Sequence, residues 1–163
     1  MATTFTDSSV SGVSTLLDST GSSGDGGGPD LKSLTNGSYV MAPAITPSGA
    51  GPELYGGYAM LGKFGAAPTA GTTVFQCWFV HAQDNSNYES LSGTNVPTRT
   101  PDFVLIWPNL SSAGQFRLQC TPAVVARPAW KHKILVKNTS GQTTTNVSND
   151  NQLLGVTYSE LGT

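Results

Sequence analysis

Histidine, cysteine and carboxylate side chains are the groups here that could do chemistry, and they are few. The two histidines, His81 and His132, fall on stretches that alternate like β-strands, in line with apolar residues. Asp84 and Glu89 are the acids nearest His81 in sequence. A serine nucleophile needs a His–Asp pair within mutual hydrogen-bond reach, and the chain has no Gly-x-Ser-x-Gly elbow to present one. Both histidines therefore read as partly buried structural residues, and the chain does not read as an enzyme.

The carboxylates point the same way. Asp84, Glu89, Asp102 and Asp150 lie at or beside turns, and Glu53 opens a strand. Asp at a turn is explained by the bonds it makes to its own backbone. Nothing selects a pair with the spacing that glycoside hydrolysis needs. The stretch Asp84-Asn-Ser-Asn87 lacks the Gly and terminal Glu of a calcium loop. Cys77 and Cys120 are too few for a metal cluster or a disulfide framework, and both fall on predicted core faces, where they read as thiols packed as small hydrophobes. No cofactor is expected.

Positive charge is concentrated in one place. Arg127, Lys131, Lys133 and Lys137 are four of the eight basic residues. No RNP-like aromatic motif or helix-turn-helix accompanies them, so nucleic acid is not the expected partner. A solvated strand face that blocks edge pairing, or a contact face for an acidic subunit, fits better. The net charge of −2 gives no general attraction to nucleic acid or an anionic membrane. No apolar run approaches the roughly 18 residues of a membrane span. The opening residues lack the basic and apolar regions of a secretory signal. Sequons begin at Asn36, Asn109, Asn138 and Asn146, as chance allows in an Asn- and Thr-rich chain.

The elements that would carry these groups are strands. Only 11% of the residues are charged, against about 25% in an ordinary soluble domain. The 19 glycines and 10 prolines favour short elements joined by tight turns. Residues 1–30 have a linker composition, with Phe5, Val10, Val13, Leu16 and Leu17 as scattered apolar positions. They are expected to form a flexible or extended arm that orders against a neighbouring subunit. Residues 31–163 are expected to form one β-sandwich domain.

An Asn-Gly turn beside a short strand is predicted within Leu34–Met41, and strands at Leu54–Phe64, Val74–His81, Asp102–Trp107, Gln115–Cys120, Trp130–Asn138 and Leu153–Ser159. In Val74–His81, Phe75, Cys77, Phe79 and His81 face one way, and Val74, Gln76, Trp78 and Val80 the other. Apolar residues on both faces demand cover on both, from the core on one side and from a loop, an arm or another subunit on the other. Along Trp130–Asn138, Lys131, Lys133, Leu135 and Lys137 share the face opposite His132, Ile134 and Val136. Leu154, Val156 and Tyr158 share one face of the last strand. The expected fold is all-β, a two-sheet antiparallel sandwich of jelly-roll or Ig-like type with an N-terminal arm.

Three strings then gain meaning together. Phe79-Val-His-Ala-Gln-Asp-Asn-Ser-Asn-Tyr-Glu89 resembles the "DGxNYE" turn of small virion proteins of tailed bacteriophages. Ser33-Leu-Thr-Asn-Gly-Ser-Tyr39 is similar to that family's early "sLxnGsY" segment, and Val136-Lys-Asn-Thr-Ser-Gly141 to its late "vkNxtG" hairpin. Asn85 stands where Gly is usual, and the Gly-rich N-terminal segment has no counterpart. The resemblance implies a jelly-roll-like sandwich in the virion, as a capsid decoration (cement) protein on the outer surface of the head. The partners so implied are the major capsid protein and copies of this chain, as dimer or trimer. The alternative is a tail or fibre module that grips a host carbohydrate through Trp107, Trp130, Tyr55 or Tyr88.

Overall fold

The computed structural model describes residues 9–10, 14–17, 31–46, 53–82, 84, 86–90, 96–108, 118–119, 123–126, 130–147 and 150–159. Ten strands lie among them: β1 (Ser9–Val10), β2 (Ser14–Leu17), β3 (Tyr39–Met41), β4 (Glu53–Gly62), β5 (Thr73–His81), β6 (Phe103–Ile106), β7 (Leu118–Gln119), β8 (Ala123–Ala126), β9 (His132–Asn138) and β10 (Gln152–Ser159). The described residues contain no helix. In particular, none forms a helix long and apolar enough to cross a membrane.

The strands make two antiparallel sheets, as an all-β sandwich requires. In the first, β4 and β10 run side by side from Leu61–Gln152 to Glu53–Ser159. β1 and β2 flank the other side of β10, and β7 and β8 the other side of β4. Six strands thus occupy four lanes. The second sheet has the order β3-β9-β5-β6.

One core lies between the sheets. β4 contributes Tyr58 and Met60, β10 Leu153, and β2 Leu17. From the second sheet come Val40, Phe75, Cys77, Phe79, Phe103, Leu105, Ile134 and Val136. Tyr58 stacks on Phe103 with centroids 4.8 Å apart, and Phe64 meets Trp107 edge to face at 5.3 Å. Burial in this core pushes the Tyr58 hydroxyl well above its ordinary range, with the neighbouring Cys77 adding to the shift.

Several expectations need correction. Val74 belongs to the core with Phe75, because the register against β6 shifts between Thr73 and Phe75 and the bulge breaks the alternation. In β10 the residue buried in the core is Leu153, whereas Leu154 is only half-buried. The run Ala123–Ala126 forms β8, a strand that flanking Pro122 and Pro128 concealed in the sequence.

Two of the strands lie upstream of residue 30. These, β1 and β2, pair with β10. Leu17 is 3% exposed and Leu16 packs against the same core. A Cβ on Gly155 would come within 2.7 Å of Leu16 Cδ1, so a glycine in β10 makes room for that side chain. Leu16 and Leu17 are thus core contacts within the chain. Val10 lies in β1, opposite Tyr158, and Phe5 and Val13 lie outside the described residues.

Leu17→Ala is expected to destabilise the chain by about 2–4 kcal/mol in urea unfolding, as for other buried leucines. A shift below about 0.5 kcal/mol would mean that β2 contributes no core.

Candidate functional site

Three regions collect the residues singled out by sequence. The first is the end of the sandwich at which β9 finishes. Here the Asn36-Gly37 turn and the Asn138–Gly141 turn are hydrogen-bonded to each other. Gly37 N donates to the Asn138 carbonyl at 2.8 Å, and Asn138 N donates to that of Ser38 at 3.0 Å. The Asn138 side chain is buried and fully used. Its Nδ2 donates to the carbonyls of Leu34 (2.7 Å) and Gln142 (2.8 Å), and its Oδ1 accepts from Ser140 N (2.9 Å) and Ser140 Oγ (2.6 Å). Gly141 N donates to Asn36 Oδ1 at 2.9 Å. Gly37 and Gly141 have φ of 85° and 75°, which side-chain-bearing residues rarely adopt. Nearby, Thr144 Oγ1 donates to the Leu31 carbonyl at 2.6 Å and accepts from Leu34 N at 2.7 Å. Of the four sequons, the one at Asn138 is thus occupied by structure.

The second region lies at the opposite end. His81 and His132 are direct cross-strand neighbours, both beside Phe79, with ring centroids 6.4 and 5.3 Å away. His132 is fully buried, and its Nδ1 lies 2.9 Å from the Trp130 carbonyl. The nearby acids have other commitments. Asp84 accepts from Ser86 N, Asn87 N and Asn87 Nδ2 at 2.9, 2.7 and 2.6 Å. Those bonds, led by the one from Asn87 N, hold its carboxyl below the usual range. The Glu89 carboxylate lies 3.9 Å from Arg99. Neither acid orients a histidine. Among the described residues, no group of three or more His, Cys, Asp or Glu side chains is placed to hold a metal ion.

The third region is the outer face of the second sheet. Trp78, Val80 and Leu135 form a small buried cluster under Tyr39, Met41 and Tyr88. The cover that the doubly apolar strand demanded comes from this chain. Tyr88 and Arg99 belong to the connection between β5 and β6, and Trp78 Nε1 donates to the Arg99 carbonyl at 3.1 Å. Arg99 Nη1 lies 2.9 and 2.7 Å from the two Asp102 carboxylate oxygens, and Nη2 donates to the Phe79 carbonyl at 2.6 Å. Phe79 N donates to Asp102 Oδ2 at 2.7 Å. The ion pair thereby replaces the missing ladder where β6 begins opposite Cys77.

The lysines crown this face. Lys133 Nζ lies 4.8 Å from the Tyr88 ring centroid and Lys137 Nζ 5.3 Å from that of Tyr39. Lys131 is next in line, beside Ala82. The structure thus brings Lys131, Lys133 and Lys137 together, while Arg127 lies outside the described residues. Of the aromatic candidates, Trp107 is buried in the core and Tyr88 half-buried, whereas Trp130 is 51% exposed. Tyr55 lies in β4, and its side chain lies outside the described residues. Tyr39, Trp78, Arg99 and Asn138 were not singled out as functional by sequence. Only the Asn-Gly and Asn-x-Ser-Gly turn signals hinted at where Asn138 sits.

No protein-family model, no curated protein and no solved structure matches this chain.

Asn138→Ala strips bonds from buried carbonyls and a buried N–H, and is expected to cost about 3 kcal/mol in denaturant unfolding. Asn36→Ala, which removes one exposed bond, should cost below about 1 kcal/mol. Asp84, followed by NMR, should titrate below an unfolded-chain Asp. Because its folded pKa is depressed, its contribution is present above the unfolded pKa and is lost as pH falls through the folded one. Asp84→Asn should flatten that acid-side dependence.

Proposed function

We propose that this chain is a non-enzymatic structural protein of a tailed-phage virion, a jelly-roll subunit that decorates and cements the outer surface of the head. The observation that carries this reading is the strand order. Numbered by lane along the chain, with β1 and β2 as lane one and β7 and β8 as lane six, the sheets read 1-8-3-6 and 2-7-4-5. A ribbon of antiparallel lane pairs 1–8, 2–7, 3–6 and 4–5, rolled up, gives that order, which supports the jelly-roll reading. Viral capsid and lectin domains share that architecture. The two turns that resemble the virion family at its early and late motifs hydrogen-bond to each other in this chain, which supports reading them as one unit.

The surface chemistry suits close packing among subunits. With few full charges, a surface of Ser, Thr, Asn and Gln forms hydrogen-bonded contacts at small desolvation cost. The partners are the major capsid protein and further copies of this chain. The carbohydrate reading draws support from Trp130 alone among the described aromatics, and one stacking surface is a weak grip.

The test is particle fractionation. Phage particles from a producing host, purified by density, are probed with an antibody to this chain and imaged by electron microscopy. The protein is expected at high copy number on the outside of heads, and particles made without it should release their genome at a lower temperature. Absence from purified particles, or label confined to the tail, would overturn the proposal.

A further inference from the structure

Nine asparagines lie along the chain, and Asn36 is the one that glycine follows. That dipeptide has a chemistry of its own. The backbone nitrogen after an asparagine can attack the side-chain carbonyl carbon, and glycine, with no Cβ, leaves that nitrogen least crowded. Asn36 and Gly37 are both exposed, so water and hydroxide reach them. The fold nevertheless commits both reacting groups elsewhere. Ser38 N donates to the Thr35 carbonyl at 3.1 Å, and Gly37 takes a φ of 85° at the third position, the pattern of a type II turn. The nitrogen that would attack, Gly37 N, donates to the Asn138 carbonyl at 2.8 Å. The side-chain amide that would be attacked is held at its Oδ1 by Gly141 N, at 2.9 Å. Both bonds come from the Asn138–Gly141 turn, which the buried Asn138 side chain braces.

We infer that Asn36 is a modification site gated by the fold: it deamidates through a cyclic imide only in molecules whose two-turn junction has opened, and the rearranged product cannot close that junction again. In the first step Gly37 N gives its proton to hydroxide and bonds to Asn36 Cγ. The Cγ–Nδ2 bond breaks and ammonia leaves. Water then opens the imide at one of two C–N bonds. Breaking the new Cγ–N bond leaves an aspartate at position 36, whose carboxylate still accepts from Gly141 N. Breaking the original peptide C–N bond leaves an isoaspartate, with the main chain running through Cβ and Cγ. To reach Cγ, Gly37 N must swing about the Asn36 Cα–C bond and leave the Asn138 carbonyl, which is why opening comes first. In the isoaspartate the extra backbone carbon displaces Gly37 N, while Asn138 N stays bound to the Ser38 carbonyl one residue on. The two bonds cannot then be made together. The inference goes beyond the virion reading and does not rest on it.

The test is peptide mapping by mass spectrometry of the full chain aged at mildly alkaline pH, beside amide hydrogen exchange of Gly37 in the same buffer. If opening gates the reaction, Asn36 in the folded chain reacts at the rate of the urea-unfolded chain multiplied by the open fraction that exchange reports. The folded rate is expected at least about tenfold below the unfolded one, and the two slow-downs should agree within about threefold. Asn138→Ala, which loosens the partner turn, should raise the open fraction and speed the loss of Asn36 together, by about tenfold. If that variant fails to fold, the wild-type comparison decides alone. Chains carrying isoaspartate at position 36, separated by chromatography, should exchange the Gly37 amide at least about tenfold faster than the unmodified chain, and chains carrying aspartate there should exchange it at the unmodified rate. A folded rate equal to the unfolded rate, a disagreement beyond about threefold between the two slow-downs, or full Gly37 protection in the isoaspartate form would overturn the inference.

Discussion

Burial of β5 on both faces is the constraint from which the rest of the structure follows. Phe75, Cys77 and Phe79 require a second sheet beneath them, and Trp78 and Val80 require a cover above. The first sheet meets one demand. The long connection to β6 meets the other, by laying Tyr88 and the Arg99 backbone over Trp78. That connection also solves a polar problem. β6 starts opposite Cys77, so the Phe79 amide and carbonyl lack a strand partner, and Asp102 and Arg99 bond them instead. A charge pair is used here because one carboxylate and one guanidinium can satisfy a donor and an acceptor on the same residue while also neutralising each other.

Elsewhere uncharged side chains do this joining. Asn138 binds four groups at once. Asn151 accepts from Lys63 N at 2.8 Å, and Thr144 ties Leu31 to Leu34. Amides and hydroxyls can be buried at such junctions without the desolvation cost of a full charge. Part of the unusual Asn and Thr content therefore works inside the molecule as fasteners between turns, and the sparse charge is not wholly a property of the surface.

The alternation of β5 and β9 was legible in the sequence because both faces of each strand carry distinct residue types. Lys131, Lys133 and Lys137 fell on one face and His132, Ile134 and Val136 on the other, as the structure has them. The Val74 bulge was not legible, since a one-residue shift leaves the residues unchanged while moving one from outside to inside. β1 and β2 were hidden by short apolar runs among serines and glycines, where only the partner strand β10 supplies a reason to be extended. Composition likewise shows a turn at Asn138 but not that its amide is buried, which depends on a turn a hundred residues earlier in the chain. The histidines read correctly as strand residues, but their cross-strand adjacency depends on the pairing of β5 with β9.

Strand length bears on how copies of such a sandwich can meet. The inner strands are long: β4 has 10 residues, β5 9, β10 8 and β9 7. In the second sheet the outer strands are short, with β3 at 3 residues and β6 at 4. Short edges offer little backbone for another chain to extend. Association through the edges of the second sheet is therefore disfavoured, and what this sheet has to offer a neighbour is a face. The outer face of the second sheet combines aromatic rings, aliphatic side chains and a row of ammonium groups.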